Sequence, residues 1–569
     1  MTSGNPPRES LRLWPGVTAA TLMLLVRFGV PATGAGFEAF RVALLGGFLG
    51  VLVISIWWVF FSRANRSERW GATLLMPAAL ALTYFLNHES MDLIWLIYYG
   101  APVSSLGLVF WAVASARMAN GSRRFALVAT ALLTCAPWSL IRMDGLTGDH
   151  VFEFAWRWAE TGEKKLLARG AGEPAPALRS TAAFEAGPGW PGFRGPARDS
   201  VIPGVRIETD WAQSPPAEVW RRSVGPGWSS FAVGAGLMYT QEQRGQDEIV
   251  ACYEAATGEL IWTHRDATRF FESIGGPGPR ATPTLSGDLV FALGATGILN
   301  ALDAHDGSVE WTRNVARDTE SDVPGWGFSS SPLIVDGVVI VAASGILVGY
   351  DRASGEPRWF GPDGGPGYCS PHRIRIDGVD QILLLSDAGA TAVLASDGSV
   401  VWDYPWPGTS LVQPARVGDA DLLINAGEGK GLRRIALTRG PAGWGVEALW
   451  ESNRLKPNFN DFVVHEGHAY GFDGSMLASI DLEDGRRSWK GGRYGHGQLV
   501  LLSDQDLLVV LSEQGELVLV EARPERFNEL ARFQAIEGKT WNHPALVGDL
   551  LLVRNGEEMA AFRLPAMGE

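Results

Sequence analysis

The chain has 569 residues, is 46% hydrophobic and carries a net charge of −14, divided very unevenly: residues 1–143 hold 11 Arg, no Lys and 5 acidic residues, a net of +6, leaving −20 for the rest. Several apolar runs in the first part approach the ~20 residues that cross a bilayer, which argues against a wholly soluble enzyme. The acidic remainder argues against nucleic-acid binding, because phosphates repel a surface of that sign.

Gly (69), Pro (33) and Trp (23) are plentiful, which suits a turn-rich all-β architecture better than a helical one. The three cysteines, Cys135, Cys252 and Cys369, form no CxxC or CxxCH motif and no disulfide framework.

Five apolar segments precede residue 143, at about 13–30, 42–61, 70–86, 93–114 and 125–141, and each is expected to span as a helix. Arg8 and Arg12 precede the first, Arg63, Arg66 and Arg69 follow the second, and Arg117, Arg123 and Arg124 follow the fourth. The alternate loops carry Glu38, and then Glu89 and Asp92. The positive-inside rule therefore predicts a cytoplasmic N-terminus, and five spans deliver everything after Ile141 to the other side.

A cleaved signal peptide ending near PATGAG is the competing reading of the first segment, opposed by Arg27 within the run and by the four later spans. Arg27 is expected to reach toward the outer boundary, although an intramembrane Arg is also a functional candidate. Trp57, Trp58, Trp70, Trp95 and Trp111 fall near span ends or faces, where indoles favour the interface. No chain of intramembrane Asp, Glu or His marks an ion path, so the bundle reads as an anchor or docking unit. Residues 150–170 read as a juxtamembrane element or a short packed helix, and the Ala, Gly and Pro rich stretch 171–189 reads as a linker.

Beyond it a Trp-ended strand recurs: ATGELIW at Trp262, HDGSVEW at Trp311, SGEPRW at Trp359, SDGSVVW at Trp402 and DGRRSW at Trp489, with weaker copies at Trp220, Trp450 and Phe533. The spacings run from 39 to 49 residues, the period of a four-stranded propeller blade. Gly258, Gly307, Gly355, Gly398 and Gly485 stand at the tight turn before that strand, where a positive φ suits Gly.

First strands beginning at Phe231, Thr282, Ser331, Ser370, Gln413, Asp461, Gln498 and His543 count eight blades. The last blade lacks its Trp strand, and AEVWRRSV (217–224) is a Trp strand without a blade before it. Pairing of the two termini closes the ring and removes open sheet edges. The blade tryptophans are read as structural, each burying a large apolar area between neighbouring sheets.

These repeats, with AxTGxxxW and its variants, resemble the pyrroloquinoline quinone (PQQ) type propeller repeat of quinoprotein alcohol dehydrogenases. Non-enzymatic relatives, such as the propeller lipoprotein of the bacterial outer-membrane assembly machine, share it. The resemblance covers about 188–569. WPGFRGPARDS (190–200), GPGPRATPT (276–284), PGWGFSSSP (324–332) and GKTWNHP (538–544) look like the PQQ-binding-like β-propeller branch, and WWVFFSRA (57–64) looks like its membrane-anchored members. The resemblance implies PQQ held between a Trp and a disulfide of adjacent cysteines, and Ca²⁺ held by acidic and amide side chains. This chain has no adjacent cysteine pair, which weakens the implied cofactors.

Residues just before the first strands are expected to gather at one mouth of the channel. Among them Trp228, Arg280, Trp326, Asn460, Asp461, His496, Trp541, Asn542 and His543 make the mixture expected of a small-ligand pocket, against the plainer reading that such residues satisfy turn amides. Asn460, Asp461, His496 and His543 are the metal-ligand candidates, without a local spacing such as HExxH to fix them. Arg280 offers a bidentate fork for a carboxylate or quinone oxygen, or pairs with a blade acid such as Asp303. If oxidation occurs here, Asp461 is the candidate catalytic base and Trp541 or Trp228 the stacking platform.

The sequence thus predicts an all-β eight-bladed propeller behind about five transmembrane helices, with a bundle at 1–143, a juxtamembrane segment and linker at 144–189, and the propeller at 190–569. The leading functional expectation is a binding or assembly module for an envelope protein or small ligand, anchored in a bacterial inner membrane with the propeller in the periplasm. The alternative is a PQQ- and Ca²⁺-dependent oxidoreductase, and a third reading gives the activity to the bundle.

Overall fold

The computed structural model describes residues 11–33, 36–168, 189–425, 427, 429–441 and 443–567. Arg8 and the linker expected at 171–189, Gly189 excepted, lie outside them, as does the side chain of Glu38. The chain divides into two compact units, Met1–Ala159 and Glu160–Glu569.

The first unit is helical over each of the five apolar segments. Trp14–Leu24 continues into a π-helical turn at Leu25–Gly29, Gly36–Ile56 into another at Trp57–Phe61, and Leu93–Trp95 into a third at Leu96–Gly100 that leads to Ala101–Ala114. Arg66–Leu86 and Asn120–Leu140 complete the set. Only Ala39–Phe61 and Leu93–Ala114, among the described residues, are long and apolar enough to cross a membrane by length and hydropathy. Of the five spans expected from the sequence, two meet both criteria. The first helix is short, while Arg66, Glu68 and Arg69 open one of the others and Arg123 and Arg124 another, leaving apolar remainders below the ~20 residues of a full span.

Trp57, Trp58 and Trp111 are buried, and their indoles donate to the carbonyls of Arg12 (2.9 Å), Arg69 (3.1 Å) and Arg123 (2.9 Å). Three indoles therefore hold the arginine-bearing loops to one end of the bundle, where a buried Arg123–Glu68 ion pair (3.2 Å) ties two helices together. Residues 150–170 are neither of the expected forms throughout: Phe152–Trp156 pairs antiparallel with Ile141–Leu146, and Gly162–Ala168 is a short helix belonging to the second unit.

That second unit is a ring of eight four-stranded antiparallel sheets in sequence order, starting at Ala232, Thr284, Leu333, His372, Ala415, Val463, Gln498 and Ala545. The eighth blade takes its outer strand from Ala217–Ser223, which pairs with Glu558–Arg563 and sets Trp220 opposite Ala561. Ring closure by the two ends of the propeller is therefore as expected.

One contact repeats around the ring. The indole of Trp262 lies over the turn glycine of the next blade, Gly307, where an added Cβ would meet the ring at 2.5 Å; Trp311 lies over Gly355, Trp359 over Gly398, Trp450 over Gly485 and Trp220 over Gly258. Each of these glycines has a φ between +68° and +73°. Both the left-handed backbone and the approaching ring exclude a side chain there. The indole N–H completes the stitch by donating to a carbonyl of the next blade: Ala304 for Trp262 (3.1 Å), Arg352 for Trp311 (2.9 Å), Ala395 for Trp359 (2.9 Å).

Trp402 departs from this pattern, donating instead to Gln381 Oε1 of its own blade at 2.6 Å. Its neighbour has no tight glycine turn, because the strands Leu432–Gly440 and Gly443–Ser452 run on into a longer hairpin. Phe533 replaces the tryptophan in blade 7 and packs edge-on against Phe562 of blade 8 (5.2 Å).

We predict that Gly307→Ala destabilises the ring by about 2–4 kcal/mol, combining left-handed strain with overpacking against Trp262. Gly337→Ala, at a similar φ of +78° but with nothing within 4 Å, is expected to cost only about 1 kcal/mol. Denaturant unfolding of the full-length protein in detergent measures both. Equal losses contradict the stitch.

Candidate functional site

The first strands of adjacent blades touch one another and line the axis of the ring. A segment of the chain occupies part of it. Residues 190–202 run along these inner edges: Trp190 exchanges backbone hydrogen bonds with Val233 of blade 1 (2.9 and 2.6 Å), and the Pro191 carbonyl accepts from Leu285 of blade 2 (2.7 Å). Val201–Ile202 adds a parallel strand to the inner edge of blade 7.

Two arginines in this segment are buried. Arg194 donates to the Phe462 carbonyl before blade 6 (2.9 Å) and to Ser200 Oγ (2.8 Å), and its Nε lies 3.4 Å from Asp461. Arg198 donates to the Ser331 and Pro332 carbonyls before blade 3 (3.0 and 2.8 Å). Ser200 Oγ in turn meets His543 Nε2 at 2.9 Å. The segment thereby bridges six of the eight blades from within.

This segment divides the nine sequence-nominated residues into two groups. Asp461 and His543 turn toward it. Asp461 is buried, accepts from the Gln413 amide (2.6 Å) and faces Arg194; burial raises its pKa while the guanidinium opposes the shift. His543 is held at about pKa 3 by burial and by the nearby Arg194 charge, and its Nδ1 lies 2.7 Å from the Pro544 carbonyl. Asn542 donates to the carbonyls of Gly227 (3.1 Å) and Ser229 (2.7 Å), and Asn460 accepts from the Asn458 amide (3.1 Å), so both brace the turns.

The other group is aromatic and half-buried. Trp228 and Trp541 meet at 4.8 Å, Phe459 lies 4.8 Å from Trp541 and 5.7 Å from His496, and Lys539 Nζ stands 5.0 Å from the Trp541 ring. Their indole N–H groups are already used, on Gly275 O (2.8 Å) and Glu513 Oε1 (2.7 Å), which fixes the rings and leaves their surfaces for contact. Trp326, 38% exposed, pairs with Tyr368 at 4.9 Å. Arg280 pairs with Glu272 (3.0 Å), not with Asp303, and donates to the Trp326 carbonyl (3.2 Å); burial lowers its pKa to about 10.

The four metal-ligand candidates do not converge. Among the described residues, the one group of three His, Cys, Asp or Glu side chains close enough to share an ion is His465, Glu466 and Asp506, elsewhere on blades 6 and 7. Arg194 occupies the place beside Asp461 that a cation would need. Cys252 and Cys369 are free, buried and in different parts of the ring. These residues do not form the quinone and Ca²⁺ site that the resemblance implies.

Sequence reasoning missed Arg194, Arg198 and Glu248. The two arginines stand in WPGFRGPARDS, a stretch noted only for its family likeness. Glu248, in the third strand of blade 1, carries no distinguishing signal. It is buried, accepts from the Ala295 amide (3.2 Å) and leaves Oε2 without a partner; burial raises its pKa to about 7, with Asp266 adding to the shift and Arg280 opposing it.

Because the unfolded carboxyl ionises from about 4.5 upward while the folded one keeps its proton to about 7, Glu248 contributes most below pH 4.5 and that contribution fades as pH rises through 7. Glu248→Gln is therefore expected to gain about 2 kcal/mol on wild type at pH 8 relative to the difference at pH 5, read from denaturant unfolding at both values. A difference independent of pH contradicts this.

A family model described as the outer membrane protein assembly factor BamB matches residues 212–367. The curated outer membrane protein assembly factor BamB of Yersinia pestis is 23% identical over 381 residues, covering 62% of this chain and 90% of its own. Among solved structures, BamB from Moraxella catarrhalis aligns with a TM-score of 0.43 at 15% identity, over 62% of this chain and 99% of that one. A europium-containing methanol dehydrogenase aligns at 0.49 and 12% identity, over 66% and 98%. Quinohemoprotein alcohol dehydrogenase from Comamonas testosteroni aligns at 0.45 and 14% identity, over 69% and 83%. With eight four-stranded blades, a tryptophan stitch between them and this repeat signature, the second unit is a PQQ-like β-propeller.

Proposed function

We propose that the chain is a membrane-anchored, extracytoplasmic propeller that works as a binding or assembly module, engaging a protein or small ligand with the aromatic face at its mouth. The observation that carries this reading is the filled axis. Residues 190–202 are bonded across the inner strands, and the recognition surface beside them is the layer formed by Trp228, Trp541, Phe459, Trp326 and Tyr368. Aromatic side chains fixed by spent N–H groups lose little freedom on contact, which favours such a role. The role named for the Yersinia relative, an assembly factor, is of the same class.

Anchoring is supported by the outward faces of the first unit, where Phe85 is 80%, Phe125 77% and Leu133 75% exposed. Surfaces of that kind are costly in water and ordinary in hydrocarbon. On this reading all five helices lie in a bacterial inner membrane, including the three with charged or short ends, with the N-terminus cytoplasmic as the arginine loops require and the propeller periplasmic. The oxidoreductase alternative is opposed by Arg194 beside Asp461 and by the separation of Cys252 and Cys369.

The test is site-specific photo-crosslinking in cells at Trp326, compared with the outer-rim position Val309. The reading expects a discrete product at Trp326 that falls about tenfold in Trp228→Ala/Trp541→Ala. It also expects no saturable PQQ binding by the full-length protein with Ca²⁺ present. Equal crosslinking at both positions, or micromolar PQQ binding lost in Asp461→Ala, overturns it.

A further inference from the structure

Among its described residues, the first unit contains one buried positive charge without a carboxylate partner. Arg27 lies within the first apolar segment on the π-helical turn Leu25–Gly29, and only 5% of it is exposed. Its guanidinium carbon stands 4.0 Å from the Tyr98 ring centre, 4.9 Å from Tyr99 and 5.3 Å from Phe28. Tyr98 and Tyr99 occupy a second π-helical turn, Leu96–Gly100, so two of the three such turns in the unit meet at this residue. Turns of this kind are frequent at functional sites.

The other buried arginines show what is missing. Arg123 pairs with Glu68, Arg142 with Asp144, Arg194 with Asp461 and Arg244 with Glu242. Arg198 and Arg554, which lack a carboxylate partner, instead donate to sets of backbone carbonyls. Among the described residues Arg27 alone has neither, and its Nη2 meets no acceptor. Ring faces offset part of the cost of burying a charge, but they do not replace an anion in a medium that cannot solvate it.

We propose that Arg27, collared by Tyr98 and Tyr99, holds the phosphate of an anionic membrane lipid, an inference that rests on the membrane reading of this unit. The guanidinium fork matches a phosphate in two parallel hydrogen bonds. Leu24, Leu25 and Phe28 on the same helix are exposed apolar side chains, placed to meet the acyl chains of the same molecule. Gly29 has nothing within 4 Å of where a Cβ would stand, which leaves open space beside the turn, and Gly47 lets the Arg27 side chain lie close against the second helix. Phe152, on the strand Phe152–Trp156, packs 5.6 Å from Tyr98 and 5.1 Å from Tyr99 and backs the collar.

Native mass spectrometry of the full-length protein, titrated with phosphatidylglycerol, diacylglycerol or inorganic phosphate, tests the site. Wild type is expected to retain one phosphatidylglycerol and no diacylglycerol. Arg27→Gln and Tyr98→Leu are expected to retain at least about tenfold less, with Arg27→Lys between them. Near-UV circular dichroism checks that each variant is folded, and Tyr98→Leu keeps the test decisive if Arg27→Gln is not. Equal retention by wild type and Arg27→Gln overturns the proposal, as does inorganic phosphate binding as tightly as the lipid. Alkaline carbonate extraction separates the two layers of the argument: release of wild type into the aqueous phase defeats the membrane reading, whereas an integral protein with unchanged lipid retention defeats the lipid site alone.

Discussion

A tryptophan laid over the turn glycine of the next blade, with its N–H on a carbonyl of that same blade, is the contact that holds five of the eight interfaces of the ring. Neighbouring sheets share no ladder hydrogen bonds, so each interface depends on how well one sheet packs on the next. The glycine permits the turn to take a left-handed φ and lets a flat ring approach to contact distance. The same stitch closes the ring, since Trp220, brought in from the start of the propeller, lies over Gly258 as its counterparts do elsewhere. Because the blades are fixed in this way, the loops before their first strands are fixed too, and the aromatic layer at the mouth inherits a rigid frame.

The filled axis changes what that frame can do. Two buried guanidiniums, one carboxylate and two histidines that burial keeps neutral form a polar core along the inner strands. Arg194, Arg198, Asp461 and His543 spend their hydrogen bonds on the chain itself, whereas His372 Nδ1 meets no partner. The ring is thereby braced from within.

Much of this was legible in the sequence, for a physical reason: blades are local. A Trp-ended strand and a Gly turn recur every 39–49 residues, and an unmatched Trp strand at one end with a missing strand at the other implies closure. The inner brace was not legible, because Arg194 and Arg198 sit in a non-repeating Gly and Pro rich loop and find their acceptors 268 and 134 residues away. No spacing rule reports such a pairing. Asp461 and His543 looked like ligand groups for the same reason: polar residues before a strand read alike whether they face a ligand or an internal arginine. In the first unit hydropathy located all five helices, but the shortness of the first and charges in the first turns of two others leave two, among the described residues, that qualify as spans by length and composition.

Hydrogen exchange of the full-length protein, resolved to the peptide holding residues 190–200, tests the filled axis most directly. The amide of Trp190 donates to the Val233 carbonyl of blade 1, those of Arg198 and Ser200 donate to the Gly195 and Arg194 carbonyls of the segment itself, and Leu501 of blade 7 donates to the Ser200 carbonyl. The account predicts that this peptide and Leu501 exchange as slowly as the inner strands of the blades, over hours. Exchange within seconds, with the blades still protected, would mean that the segment does not occupy the axis and that the channel is open to a ligand.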